Sequence, residues 1–173
     1  NKNNEAFLDR IYIVKVPYCL RVSEEIKIYE KLLRNSSLAA ATCAPGTLKM
    51  MSQFAMLTRL KEPENSSLYS KMLVYDGENL KDTDPRAKSY QEYRDYAGVD
   101  EGMSGISTRF AYKILSKVFN FDSAEVPANP VHLMYVLEHQ IEREQFPAEL
   151  AQKYTGLIKG QPPPVYAELR GKS

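Results

Sequence analysis

The sequence predicts a mainly α-helical protein, a helical bundle carrying one orphan β-strand from a truncated α/β core. Three observations predict it. Apolar residues recur at three- and four-residue spacing through most of the chain after residue 21. Capping residues stand before several of those stretches. A single β-branched and aromatic run, Ile11-Tyr12-Ile13-Val14-Lys15-Val16, has almost nothing to pair with.

In chain order, Asn1 to Asn4 is polar, lacks an initiator Met and reads as the middle of a loop. The strand at 11–16 is nearly continuously apolar and closed by Pro17, a pattern suited to a parallel sheet buried on both faces. Ser23 with Glu24 and Glu25 starts a helix whose Val22, Ile26, Tyr29 and Leu33 share a face; Asn35-Ser36-Ser37 ends it. Thr47 caps a second helix reaching about Leu60, with a stripe of Leu48, Met51, Phe54 or Ala55, and Leu57. Met72 to Tyr75 is a short strand candidate, and 76–89 is a turn-rich loop. Tyr90, Tyr93 and Tyr96 lie on a short helix. After Gly98, Gly102 and Gly105, a longer helix from Ser107 to Phe119 buries Phe110, Ile114 and Val118. Asn129-Pro130 pairs a cap with proline at the first helical position, predicting a helix to about Gln145 with Met134, Leu137 and Ile141 inward. A last helix, about Ala148 to Ile158, precedes Gly160 and Pro162-Pro163-Pro164, an extended exit from the domain.

Composition narrows the function. The chain has 173 residues, 43% hydrophobic and 26% charged, with 23 Lys+Arg against 22 Asp+Glu. A net charge of +1 lacks the basic excess of a duplex-binding protein. No apolar run is long enough to span a membrane and no signal peptide is apparent, so no membrane partner is expected. Two cysteines, Cys19 and Cys43, make no disulfide framework and suit a reducing, cytoplasmic setting, buried or inert. His132 and His139 are seven apart on one helix rather than four, and no metal site is expected.

Nucleotide chemistry is half present. There is no G-x-x-x-x-G-K-[ST] loop to cradle phosphates, no strand ending in paired acids for magnesium, and no kinase H-R-D or D-F-G set. The glycines from Gly98 to Gly105 enclose Asp100 and Glu101, which a phosphate cradle would avoid. Yet Arg109 falls in the first turn of its helix, where the partial positive charge of the helix start disfavours a cation unless an anion is near. Free N–H groups, two hydroxyls and a guanidinium there would suit a phosphate. Local sequence alone favours an ion pair of Arg109 with Asp100 or Glu101. Arg10 sits at the entrance of the 11–16 strand, from which a guanidinium can cross a subunit boundary and stabilise a transferring phosphoryl group. Its local alternative is a surface pair with Asp9 or Glu5.

The order of the two arginines adds to this. Glu5-Ala6-Phe7-Leu8-Asp9-Arg10-Ile11 resembles the arginine-finger element of AAA+ ATPases, and Gly105-Ile106-Ser107-Thr108-Arg109 resembles their sensor-2 element at the start of a lid helix. The intervening runs Val14-Lys15-Val16-Pro17-Tyr18-Cys19-Leu20-Arg21-Val22-Ser23, Arg59-Leu60-Lys61-Glu62-Pro63-Glu64-Asn65 and Ser89-Tyr90-Gln91-Glu92-Tyr93-Arg94-Asp95-Tyr96 are similar to the bacterial PrkA serine protein kinase family. The resemblance runs to about Lys159. It implies a longer cytoplasmic protein with an N-terminal AAA+ module and a C-terminal region assigned serine/threonine kinase activity. Residues 1–20 would be the tail of the AAA+ core, 21–120 a helical lid with an insertion, and 121–173 the start of the C-terminal region. By the same resemblance Arg10 is the catalytic finger acting on a neighbouring subunit's ATP, and Arg109 contacts nucleotide in its own subunit. ATP and Mg would be cofactors of the longer protein, bound tightly by residues before Asn1 rather than by these. Its partners would be ATP, neighbouring subunits of a homo-oligomer and protein substrates; by itself this stretch would be inactive. Two other readings stand beside it. One is a helical protein–protein adaptor docking through Tyr90, Tyr93 and Tyr96. The other is a winged-helix-like nucleic-acid module reading through Arg109, Lys113 and Lys117, which near-neutral charge disfavours.

Overall fold

The computed structural model describes residues 2–12, 14–120 and 127–160. Among them the chain is helical: α1 (Lys2–Leu8), α2 (Val22–Arg34), α3 (Thr47–Arg59), α4 (Leu68–Tyr75), α5 (Tyr90–Ala97), α6 (Thr108–Phe119), α7 (Pro130–Arg143) and α8 (Ala148–Gly160), with a 3₁₀ turn at Gly98–Asp100. The mainly α class holds. The triple proline lies outside the described residues.

Helix starts follow the local chemistry. The Ser107 hydroxyl accepts from the Phe110 N–H, and Asn129 Oδ1 accepts from the His132 N–H with Pro130 at the first position. Ser89 and Glu92 close a reciprocal capping box at α5, satisfying two orphan donors at once. At α2 the cap position is Arg21, without a side-chain cap; Ser23 lies inside the first turn, where both its N–H and its hydroxyl donate to Asp76.

The core centres on α3, which packs against α2, α4, α6, α7 and α8. Eleven of its thirteen residues are buried, so the amphipathic stripe expected from sequence is replaced by all-round burial. Leu48, expected on that stripe, is only half-buried, as are Ile26, Phe110 and Met134 on their own helices. Leu133 takes the inward place expected of Met134, beside Leu137 and Ile141.

Two strand expectations are corrected. Residues 11–12 and 14–16 form no strand; Tyr12 is 91% and Val16 78% exposed. A strand draws its hydrogen bonds and its burial from neighbouring strands, and the described residues supply none. The sole ladder contact among them is an isolated parallel bridge, Cys43 to Ala128, tying the loops before α3 and α7 together. Met72 to Tyr75 is the end of α4, with Met72 and Tyr75 turned into the core, because α4 docks on α3. The polar start of the chain is helix α1 rather than loop.

Candidate functional site

The start of α6 is built by a tight approach. Gly105 has φ +101°, and a Cβ there would stand 2.6 Å from the Thr58 carbonyl oxygen. Only glycine lets the chain pass so close to the end of α3. Next to it, the Ile106 N–H donates to Thr58 Oγ1 (3.1 Å) and the Ile106 carbonyl accepts from Arg59 Nε (2.8 Å). Ser107 then caps the helix, and Arg109 emerges in its first turn, exposed to solvent.

Arg109 opens onto a groove of about 780 Å³ that runs along α6, lined also by Ser107, Phe110, Tyr112, Lys113, Ser116, Lys117, Asn120 and Glu144. The three cations of this face are not equivalent. Lys113 pairs with Glu144, and Lys117 Nζ donates to Gln140 Oε1 (2.5 Å), both on the α7 side. Hydrogen bonds from Lys113 and Gln140 hold the Glu144 carboxyl below the usual carboxylate range. Arg109 has no ion pair among the described residues. Its expected local partner Glu101 is committed elsewhere: Oε1 accepts the Lys61 N–H (2.7 Å), and Oε2 accepts Lys71 Nζ (2.6 Å) and the Tyr75 hydroxyl (2.9 Å).

Arg10 lies in the turn closing α1, where its N–H donates to the Phe7 carbonyl (3.1 Å). Its side chain is exposed and forms no ion pair with Asp9 or Glu5 among the described residues. The two arginines therefore stand on separate elements. The segment that follows Arg10 meets the loop before α6 where the Tyr18 N–H donates to the Gly102 carbonyl (2.8 Å).

Sequence reasoning missed two buried ion pairs. Arg59 and Glu25 meet at 2.9 Å with both side chains fully buried, and Lys71 and Glu101 at 2.6 Å are nearly so. Burial pushes the Lys71 ammonium below its ordinary value, against the pull of Glu101. A signal was present. Arg59 falls four residues beyond Ala55 and eight beyond Met51 on the predicted stripe of α3, and Glu25 lies between Val22 and Tyr29 on that of α2.

The other candidates separate. Tyr93 is buried, hydrogen-bonded to Ser66 Oγ (2.6 Å) and the Lys88 N–H (3.1 Å). Tyr90 packs on Tyr75, and Tyr96 lies beneath Lys61 and Lys88, so the three tyrosines do not form one docking face. Cys43, expected buried or inert, is exposed; partial desolvation pushes its thiol up, away from the reactive thiolate. Among the described residues no group of three His, Cys, Asp or Glu could hold a metal ion. No helix is long and apolar enough to cross a membrane.

Two family models match the chain in succession. Residues 1–67 match the PrkA AAA domain, and residues 69–171 match the PrkA serine protein kinase C-terminal domain. The junction falls at Leu68, the first residue of α4, a helix that packs on α3. The serine/threonine kinase YeaG of Escherichia coli (strain K12) is 76% identical over 172 residues, covering 99% of this chain and 27% of that protein. The ATP-dependent protease PrkA of Bacillus subtilis (strain 168) is 44% identical over 123 residues, covering 67% of this chain and 18% of that protein. The chain thus spans less than a third of the length of these curated relatives. No solved structure matches it significantly.

Proposed function

The chain belongs to the PrkA serine protein kinase family, and from that membership we propose that it forms the helical lid and a subunit-boundary segment of an ATP-dependent serine/threonine protein kinase. In this reading Arg109 contacts ATP bound by its own subunit, and Arg10 reaches ATP held by a neighbour in a homo-oligomer. The observation that carries it is a guanidinium in the first turn of a capped helix, exposed on an open groove, with no ion-pair partner among the described residues; Glu144, which lines the same groove, pairs with Lys113. A cation at the positive end of a helix is electrostatically unfavourable until an anion arrives. The triphosphate of ATP supplies that anion, and a charge-assisted bidentate contact would hold it.

Closing of the lid on ATP through Arg109, and its reopening after hydrolysis, would move α7 and α8 with α6, since these helices pack in sequence. The adenine and phosphates would be gripped by residues outside this sequence. The described residues do not fit magnesium, so it too would be held elsewhere and no step here depends on it. Protein substrates and a cytoplasmic setting complete the reading. The names of the two relatives differ in chemistry, kinase and protease, and a nucleotide-driven lid serves either.

The test uses the complete protein. Arg109→Ala should raise the KM for ATP by roughly tenfold, the loss of one charge-assisted hydrogen bond, with the melting temperature unchanged. Unchanged ATP affinity and turnover would remove the role. For Arg10, subunits carrying Arg10→Ala are mixed with subunits defective in the phosphate-gripping loop. Hydrolysis should recover in the mixture, and a mixture as inactive as its components would exclude action across the boundary.

A further inference from the structure

We propose that Arg59 is a positioning residue that mechanically couples the segment carrying Arg10 to the helix start carrying Arg109. Its guanidinium is fully buried, yet little of what it binds belongs to its own helix. Nε donates to the Ile106 carbonyl (2.8 Å), three residues before Arg109. Nη1 donates to the Cys19 carbonyl (2.9 Å), and the ring of Tyr18 lies 5.1 Å from the guanidinium carbon. Nη2 donates to Glu25 Oε1 (2.9 Å) on α2, and the Thr108 hydroxyl donates to that same oxygen (2.9 Å) from the residue beside Arg109. One planar fork thus grips both chain segments that lead to the exposed arginines, and Glu25 anchors the fork to α2.

The residue type matters. A lysine could satisfy one of these directions, whereas the rigid five-donor fork holds three at fixed angles. Two of its acceptors are backbone carbonyls on different segments, so a shift of either segment strains the bonds to the other. If the group served packing alone, an apolar side chain of similar size would do as well. Gly105 supports the same linkage, because the close approach it permits places Ile106 within reach of both Thr58 and Arg59. Movement of the α6 start on nucleotide binding would in this way reach residues 18 and 19, the point at which the segment carrying Arg10 joins the bundle.

The inference rests on the nucleotide roles proposed above for Arg10 and Arg109, and double-mutant cycles in the complete protein separate the two claims. Arg59→Lys keeps the buried charge and loosens the fork. It should raise the KM for ATP by roughly three- to tenfold and lower kcat by a similar factor, the worth of one or two ordinary hydrogen bonds. The KM effect should vanish in an Arg109→Ala background and the kcat effect in an Arg10→Ala background. Should Arg59→Lys fail to fold, Thr108→Val paired with Arg109→Ala and Tyr18→Leu paired with Arg10→Ala test the two arms separately. Additive effects in either cycle, with Arg109→Ala and Arg10→Ala each impairing activity, overturn the coupling and leave the nucleotide roles standing. Silent Arg109→Ala or Arg10→Ala single variants overturn the nucleotide role concerned and the coupling with it.

Discussion

Glu25 and Glu101 are both buried beside a cation, but their surroundings differ in one respect. Every oxygen of Glu101 has a donor, while Glu25 Oε2 and the hydroxyl of Tyr29 are buried with no hydrogen-bond partner among the described residues. A desolvated polar atom without a partner is a net cost. Burial, and then the neighbouring Glu25 carboxylate, push the Tyr29 phenol far above its ordinary value of 10.0. Above pH 10 the unfolded phenol loses its proton while the folded one keeps it, so the folded state binds more protons and stability falls as pH rises. Tyr75 is raised mainly by burial and contributes with the same sign. Tyr29→Phe is therefore expected to gain up to about 1 kcal/mol at neutral pH and to make the decline above pH 10 shallower without abolishing it. Urea midpoints on either side of pH 10 check both; a loss of stability in the variant would show that the hydroxyl is satisfied.

Helix boundaries carry the next layer of information. Ser89 with Glu92, Ser107, and Asn129 with Pro130 each satisfy their own first turn, and all three helices begin within one residue of where these signals place them. Glycines between helices are less uniform. Gly98 has φ +72° with open space around a would-be Cβ, whereas Gly105 adds a near-contact with the Thr58 backbone to φ +101°. Gly98→Ala should cost about 2 kcal/mol, the backbone term alone, since φ +72° with ψ −154° is all but closed to other residues. Gly105→Ala should cost about 3 kcal/mol or more, because backbone and contact strain combine there. Thermal unfolding of the pair reads the difference, and equal costs would show that the end of α3 yields easily. The Asn129-Pro130 signal was legible because a cap acts within four residues, whereas Ser23 and Thr47, read as helix starts, lie inside the first turns of α2 and α3. The approach at Gly105 was not legible, because its other half lies 47 residues earlier.

Taken whole, the molecule has a helical core around α3 and an apolar segment that the core does not use. Phe7, Leu8, Tyr12, Val14 and Val16 are all exposed, and the segment joins the bundle at Tyr18. Removing residues 1–16 is expected to change the unfolding free energy of the remainder by less than about 0.5 kcal/mol, the usual size of surface effects. Denaturant unfolding with and without the segment measures it. A loss of several kcal/mol would mean that these residues contribute to the core. The burial of α3 on all sides belongs to this scale too. Its sequence carries Ser52 and Gln53 off the expected apolar stripe, and both are buried because five helices pack around it.

Sequence by itself determined what acts locally or is spelled out in order: the starts of α6 and α7, the mainly helical class, and the family. Tertiary structure alone decided which charges are buried, that Glu101 is taken by Lys71 rather than by Arg109, and that residues 11–12 and 14–16 have no strand beside them among the described residues. Ion pairs and strand ladders need partners distant in the chain, and no single stretch of residues states which of several candidates will arrive.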